Sequence, residues 1–248
     1  MPKNYTKSQI TQMVAQYFQS NECKNLYKDK CINFTGETKD TKENYSKVIV
    51  EYLVDHIDEF KKALDKCLVT RQESYNTDTH TGKSVLKNII GERREEKIAH
   101  AMYCQYKDNP SVFGKILDYQ VPLKNKSTDK GLGKIDLISV KESSKPETKI
   151  IYFLELKKDN SKETLLHCLL EAYTYSKIID KVKFCKDFHL LFENNEFVVA
   201  PLVYKNDGYE KQLEYVMPLV NKLECSVEFF TWDFKSGEPI IEKMIDNM

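Results

Sequence analysis

Residues 133–157 read GKIDLISVKESSKPETKIIYFLELK: two apolar runs separated by a polar, turn-forming middle. The spacing predicts strands over 133–141 and 149–157, interrupted by Ser143-Ser144-Lys145-Pro146. In the second run Ile150 to Leu154 is apolar on both faces, as in a buried strand, yet it ends in Glu155-Leu156-Lys157. Residues i and i+2 of a strand share a face, so Glu155 and Lys157 point one way and Leu156 the other. A simple antiparallel hairpin pivoting at 142–149 sets Val140 opposite Ile151 and Asp136 opposite Glu155. Facing Cβ atoms then lie about 4.5–5.5 Å apart. Two carboxylates so close repel unless a proton or a cation sits between them. Magnesium or manganese, which prefer oxygen ligands, would resolve the conflict.

Outward from this hairpin, a further strand is predicted over 115–123, and Gly131 and Gly133 punctuate the gap before the next. A helix over 161–179 follows, burying Leu165, Leu169, Ala172 and Tyr173, and β-like runs cover 188–192 and 197–204. Before the strands, 86–107 reads as a helix with Ile90, Ile98, Ala99 and Met102 inward. The first third looks helical, over 7–18 and again over 44–68, where Ile49, Leu53, Ile57, Phe60, Leu64 and Cys67 mark one buried face. Residues 69–84 are polar and rich in turn formers, which predicts a linker. The tail adds a helix over 209–223, a strand over 227–232 and a short helical end. We therefore expect an α/β chain in three parts: an N-terminal helical region (1–84), a core of helix, three strands, helix and strand (85–204), and a C-terminal helix-strand extension packed on the core (205–248).

Composition narrows the function. The 248 residues carry 38 Lys+Arg against 38 Asp+Glu, so a uniformly basic nucleic-acid coat is excluded and any polyanion must be held by a local patch or a metal. The seven cysteines are scattered, with no C-x-x-C and no zinc spacing, which reads as free buried thiols in a reducing cytoplasm. The first residues show no secretory h-region, and no apolar run is long enough to span a membrane.

A carboxylate pair beside a lysine suits metal-assisted phosphodiester cleavage, with the lysine orienting the attacking water or stabilising the transition state as a cation. A further acid could come from the helix before the strands. Glu95 lies at the edge of the stripe formed by Ile98, Ala99 and Met102; Glu92, one turn earlier, competes with it, and Glu96 is a weaker candidate. Lys124, Lys126, Lys130 and Lys134 make either a phosphate-contacting patch or a solvated hairpin surface. Thr81-Gly82-Lys83-Ser84 ends like a P-loop but lacks the first glycine and a preceding buried strand, so nucleotide binding there is rejected. Phe229, Phe230 and Trp232 are expected to pack in the C-terminal strand rather than to stack on bases.

Asp136, then Glu155-x-Lys157 closing an apolar strand, behind a Glu-bearing helix and before another helix, resembles the PD-(D/E)xK nuclease superfamily over about residues 86–204. The resemblance implies a restriction-endonuclease-like core with a mixed sheet flanked by helices. It further implies that Asp136, Glu155 and the Leu156 carbonyl bind Mg²⁺ or Mn²⁺, that Lys157 acts on the water, and that Glu95 completes the site. Ile135 stands where the name-giving proline would be. One branch of the superfamily carries Gln-x-x-x-Tyr on the following helix, where this chain has His167-x-x-x-Glu171-x-x-x-Tyr175 on one helix face. His167 and Glu171 are expected to be solvated, or with Tyr175 to support the site from around it, rather than to ligate. The implied activity is a divalent-metal-dependent nuclease, with DNA favoured over RNA and a homodimer open to it. The alternative is a nuclease-fold module that binds nucleic acid or scaffolds without catalysis.

Overall fold

In the computed structural model, which describes residues 4–20, 22–77, 94–124 and 132–244, the run Ile150–Leu154 lies in the middle of a mixed seven-stranded sheet. Strands β1 (Lys115–Pro122), β2 (Lys134–Glu142) and β3 (Lys149–Leu156) form an antiparallel meander. The chain then crosses over through helices α5 (Leu165–Ile178) and α6 (Lys181–Asp187) to β4 (Glu196–Tyr204), parallel to β3. Strands β5 (Ser226–Val227) and β6 (Phe230–Lys235) share the outer edge of β4, and β7 (Glu238–Lys243) folds back on β6. The spatial order is β1-β2-β3-β4-β6-β7 with β5 beside β4, so the sheet continues well past residue 204.

Helices cover both faces. On one, α1 (Lys7–Gln19), α2 (Tyr45–Asp55), α3 (Ile57–Asp65), α5, α6 and α7 (Leu213–Val220) share a continuous apolar cluster with Ile138, Ile151, Phe153 and Val199 of the sheet. On the other, α4 (Arg94–Tyr106) inserts Ile98, Ala99 and Met102 against Leu137, Leu154, Leu156, Leu202 and Trp232. β3 is buried from Ile151 to its end because helices flank both of its faces, which is why its sequence does not alternate. No helix among the described residues is long and apolar enough to cross a membrane.

Several elements depart from expectation. The helix expected over 44–68 is two, because His56 leaves helical geometry and its ring nitrogen sits 2.9 Å from the Tyr52 carbonyl oxygen. Residues 69–77 are packed, not a free linker: Val69 bridges Ile179, and both Arg71 and Tyr75 are buried. Residues 78–84, with the P-loop-like stretch, lie outside the described residues. Run 188–192 is no strand; α6, capped by Asp180, ends into it, and Leu191 and Phe192 are exposed. The expected helical end is β7, reached through Ser236 and Gly237, both at positive φ (54° and 87°) as a tight hairpin demands. Phe229, Phe230 and Trp232 are buried in the core.

Candidate active site

The β2–β3 ladder pairs Val140 with Ile151 and runs to Leu137 with Leu154, so the next step sets Asp136 across from Glu155. Strand parity turns Asp136, Glu155 and Lys157 toward α5, while Leu156 enters the α4-side cluster. Lys157 lies just beyond β3 but is held by its backbone. Its N–H donates to the Leu202 carbonyl and its own carbonyl accepts from Trp232 Nε1, both at 2.9 Å.

The Lys157 ammonium, with 4% of its side chain exposed, lies 2.9 Å from each of three carboxylates: Glu155, Glu163 and Glu171. Burial works against its charge, but Glu155 and Glu171 outweigh that cost and hold its pKa well above the ordinary lysine value. For Glu155, burial comes first and the charges of Asp136 and Glu171 second, and together they push its carboxyl well up. Asp136 is raised to about 7 by burial, against the opposing pull of Lys157 and the Leu156 N–H. Glu171 goes the other way. Burial there is overcome by the His167 hydrogen bond and the Lys157 charge, which hold it far below the usual carboxylate range.

Asp136 is clamped on both oxygens: Gln120 Nε2 donates to Oδ1 at 2.6 Å and the Leu156 N–H to Oδ2 at 2.8 Å. Glu155 is satisfied on one side only. Its Oε1 accepts from Lys157, its buried Oε2 accepts no hydrogen bond among the described residues, and the carboxyl also shares a side-chain hydrogen bond with Glu171 that helps to raise it. A buried carboxylate oxygen left without a donor, beside a second carboxylate, is the arrangement a hard cation satisfies. No group of three or more His, Cys, Asp or Glu side chains among the described residues is arranged to hold a metal. Magnesium, however, commonly takes one or two carboxylates and completes its shell with water and phosphate oxygens, so the Asp136–Glu155 pair and the Leu156 carbonyl suit it.

The α5 residues form a hydrogen-bonded support. Glu171 accepts from Lys157 at 2.9 Å, from the Tyr175 hydroxyl at 2.8 Å and from His167 Nε2 at 3.2 Å. The His167 tautomer follows from its other neighbour. Asn33 Oδ1 accepts from the Thr164 N–H, so its Nδ2 faces His167 Nδ1 at 2.9 Å; that nitrogen must accept, leaving the proton on Nε2 toward Glu171. Tyr27 and Tyr175 join hydroxyls at 2.9 Å, and burial together with the Glu171 charge pushes both well up, so they remain protonated. Behind Glu155, the buried Cys168 thiol donates to its backbone carbonyl at 3.3 Å.

Asp136, Glu155, Lys157, His167, Glu171 and Tyr175 line an open cleft of about 610 Å³, with Lys28, Arg94, Lys134 and Lys158 among its walls. Glu95 reaches it from α4, accepting the Lys158 N–H at 3.2 Å, and its charge acts on Asp136; Glu96 also lines the cleft, and Glu92 lies outside the described residues. Of the lysine patch, Lys134 lines the cleft, the Lys124 carbonyl accepts from Arg71, and Lys126 and Lys130 lie outside the described residues. Sequence reasoning did not find Gln120, Glu163, Tyr27, Lys28 or Asn33. Tyr27, Lys28 and Asn33 sit in 3-10 turns (Cys23–Lys28 and Lys30–Asn33), which leave no hydrophobic period to read.

Comparison of the chain with protein-family models, curated proteins and solved structures finds no match.

Proposed function

We propose that this protein is a divalent-metal-dependent nuclease of the PD-(D/E)xK type, with a restriction-endonuclease-like core, acting on DNA in preference to RNA. The observation that carries this reading is the meeting of Asp136 and Glu155 across β2 and β3, with Lys157 two residues on, in the wall of an open cleft. Asp136, Glu155 and the Leu156 carbonyl would hold Mg²⁺ or Mn²⁺. When bound, that cation supplies polarisation of the phosphodiester and a lowered pKa for the attacking water.

The chain's own groups divide the remaining work. Lys157, held as an ammonium by its carboxylates, is unsuited to act as a base and serves as a fixed positive charge against the developing phosphate charge. Glu163, with 35% of its side chain exposed, is the most exposed of the three partners and the one a phosphate oxygen would displace from Lys157. Glu171, His167 and Tyr175 hold the ammonium in place. Lys28, Lys134 and Lys158 supply positive charge along the cleft for the nucleic-acid backbone.

A second reading, a nuclease-fold binding module without catalysis, draws support from the near-complete enclosure of Lys157 by its carboxylates. One experiment separates the two: cleavage of supercoiled plasmid, single-stranded DNA and RNA in Mg²⁺, Mn²⁺ or EDTA, by the native protein and by Lys157→Ala. The nuclease reading expects metal-dependent cutting by the native protein and loss of it, by at least about 100-fold, on removing the transition-state charge. Absence of cutting on every substrate, with nucleic-acid binding retained, would establish the module instead.

A further inference from the structure

Gln120 is a positioning residue of the cation site. We infer this from the local path of β1 and from where its amide lies, and the inference rests on the proposed function. β1 and β2 pair Ile116 with Ser139, then Asp118 with Ile138, so one extra residue, Leu117, is accommodated on β1. That bulge shifts the register by one. Beyond it Tyr119 faces Leu137 and Val121 faces Ile135, which leaves Gln120 opposite Asp136. Without the bulge Tyr119 would stand there in place of the glutamine amide.

The backbone is bent to make the contact. Gln120 has φ 52°, a left-handed conformation rare for a residue with a side chain and foreign to a strand interior. Alternation breaks there: Tyr119 packs against the α4-side cluster, yet Val121, two residues on, belongs to the cluster on the opposite face. The turn aims the amide at Asp136, with Nε2 2.6 Å from Oδ1. Together with the Leu156 N–H on Oδ2, this fixes the carboxylate of Asp136 by both oxygens, across the sheet from Glu155, whose buried Oε2 accepts no hydrogen bond among the described residues. Local strain retained beside a candidate site, and spent on orienting a ligand, is the pattern of a support that tunes affinity rather than stability.

The test is calorimetric titration of Mn²⁺ into the intact protein, without nucleic acid, for the native chain, Gln120→Gly and Gln120→Met, with melting temperatures alongside. Glycine relieves the positive φ and removes the amide; methionine keeps the side-chain volume and removes the donor. Both variants are expected to bind Mn²⁺ roughly 10–100-fold more weakly, the range for loss of a group that orients a metal ligand. Gln120→Gly should melt no lower than the native protein. In cleavage assays kcat should fall with KM for nucleic acid unchanged, because Gln120 acts through Asp136. Native-like Mn²⁺ affinity in either folded variant overturns the inference and leaves the proposed function intact. A native protein that binds no Mn²⁺ overturns both, and the native titration alone reports it.

Discussion

Asp136 meets two opposing demands: burial favours the neutral acid, while the Lys157 charge and the Leu156 N–H favour the carboxylate. Burial prevails, and the group titrates near 7 instead of 3.8. Between those values the folded chain carries a proton that the unfolded chain has lost. The associated stability is therefore full below pH 3.8 and is lost as the pH rises through about 7. Relative to Asp136→Asn, the native protein in EDTA should lose on the order of 4 kcal/mol between pH 4 and 8. Denaturant unfolding of the two proteins at several pH values measures this, and a constant difference between them would refute the assignment. The juxtaposition of Asp136 and Glu155 is readable from sequence because it needs only the centre of one hairpin and a period of two. Gln120 is not readable, because a single extra residue at Leu117 changes which β1 side chain arrives opposite Asp136, and hydrophobic pattern does not reveal a bulge.

Where β2 begins, the backbone passes directly over the Tyr175 hydroxyl of α5. A Cβ built on Gly133 would overlap that oxygen. Gly133→Ala should therefore cost about 1–3 kcal/mol, and Tyr175→Phe in the same chain should recover part of it by deleting the obstructing atom. A double-mutant cycle on unfolding free energies gives the coupling, and strict additivity would rule out the contact. At this scale legibility tracks how strongly one period dominates. β3 is evident because its core is unbroken apolar sequence, and α5 because its apolar residues keep a helical spacing. β7 is hidden because Glu238–Lys243 alternates only briefly, although the Ser236-Gly237 pair before it is a hairpin signal that was available. The break at His56 escapes notice because the apolar positions keep helical spacing across it.

For the molecule as a whole, the N-terminal helices and the sheet share one apolar interior: Ile10, Val14, Ile49, Leu53 and Phe60 belong to the same cluster as Leu169, Tyr173 and Phe153. The same region supplies Asn33, which orients His167, and Tyr27, which meets Tyr175. A chain lacking residues 1–77 should lose the cooperative unfolding transition in circular dichroism; a sharp native-like transition would show that the helices are dispensable. That dependence is not legible from sequence, since a polar run such as 69–77 looks the same whether it hangs free or lies packed through Arg71 and Tyr75. Cys168 gives the site a clock of its own. Its thiol is fully buried against the carbonyl of Glu155, and burial raises its pKa far beyond that of an ordinary cysteine, so an alkylating reagent reaches it only when the lysine and its carboxylates come apart. Cys67, partly exposed, should label first. The delayed Cys168 adduct, followed by mass spectrometry, would time the opening of this wall of the cleft, and on the proposed function Mn²⁺ should lengthen that delay.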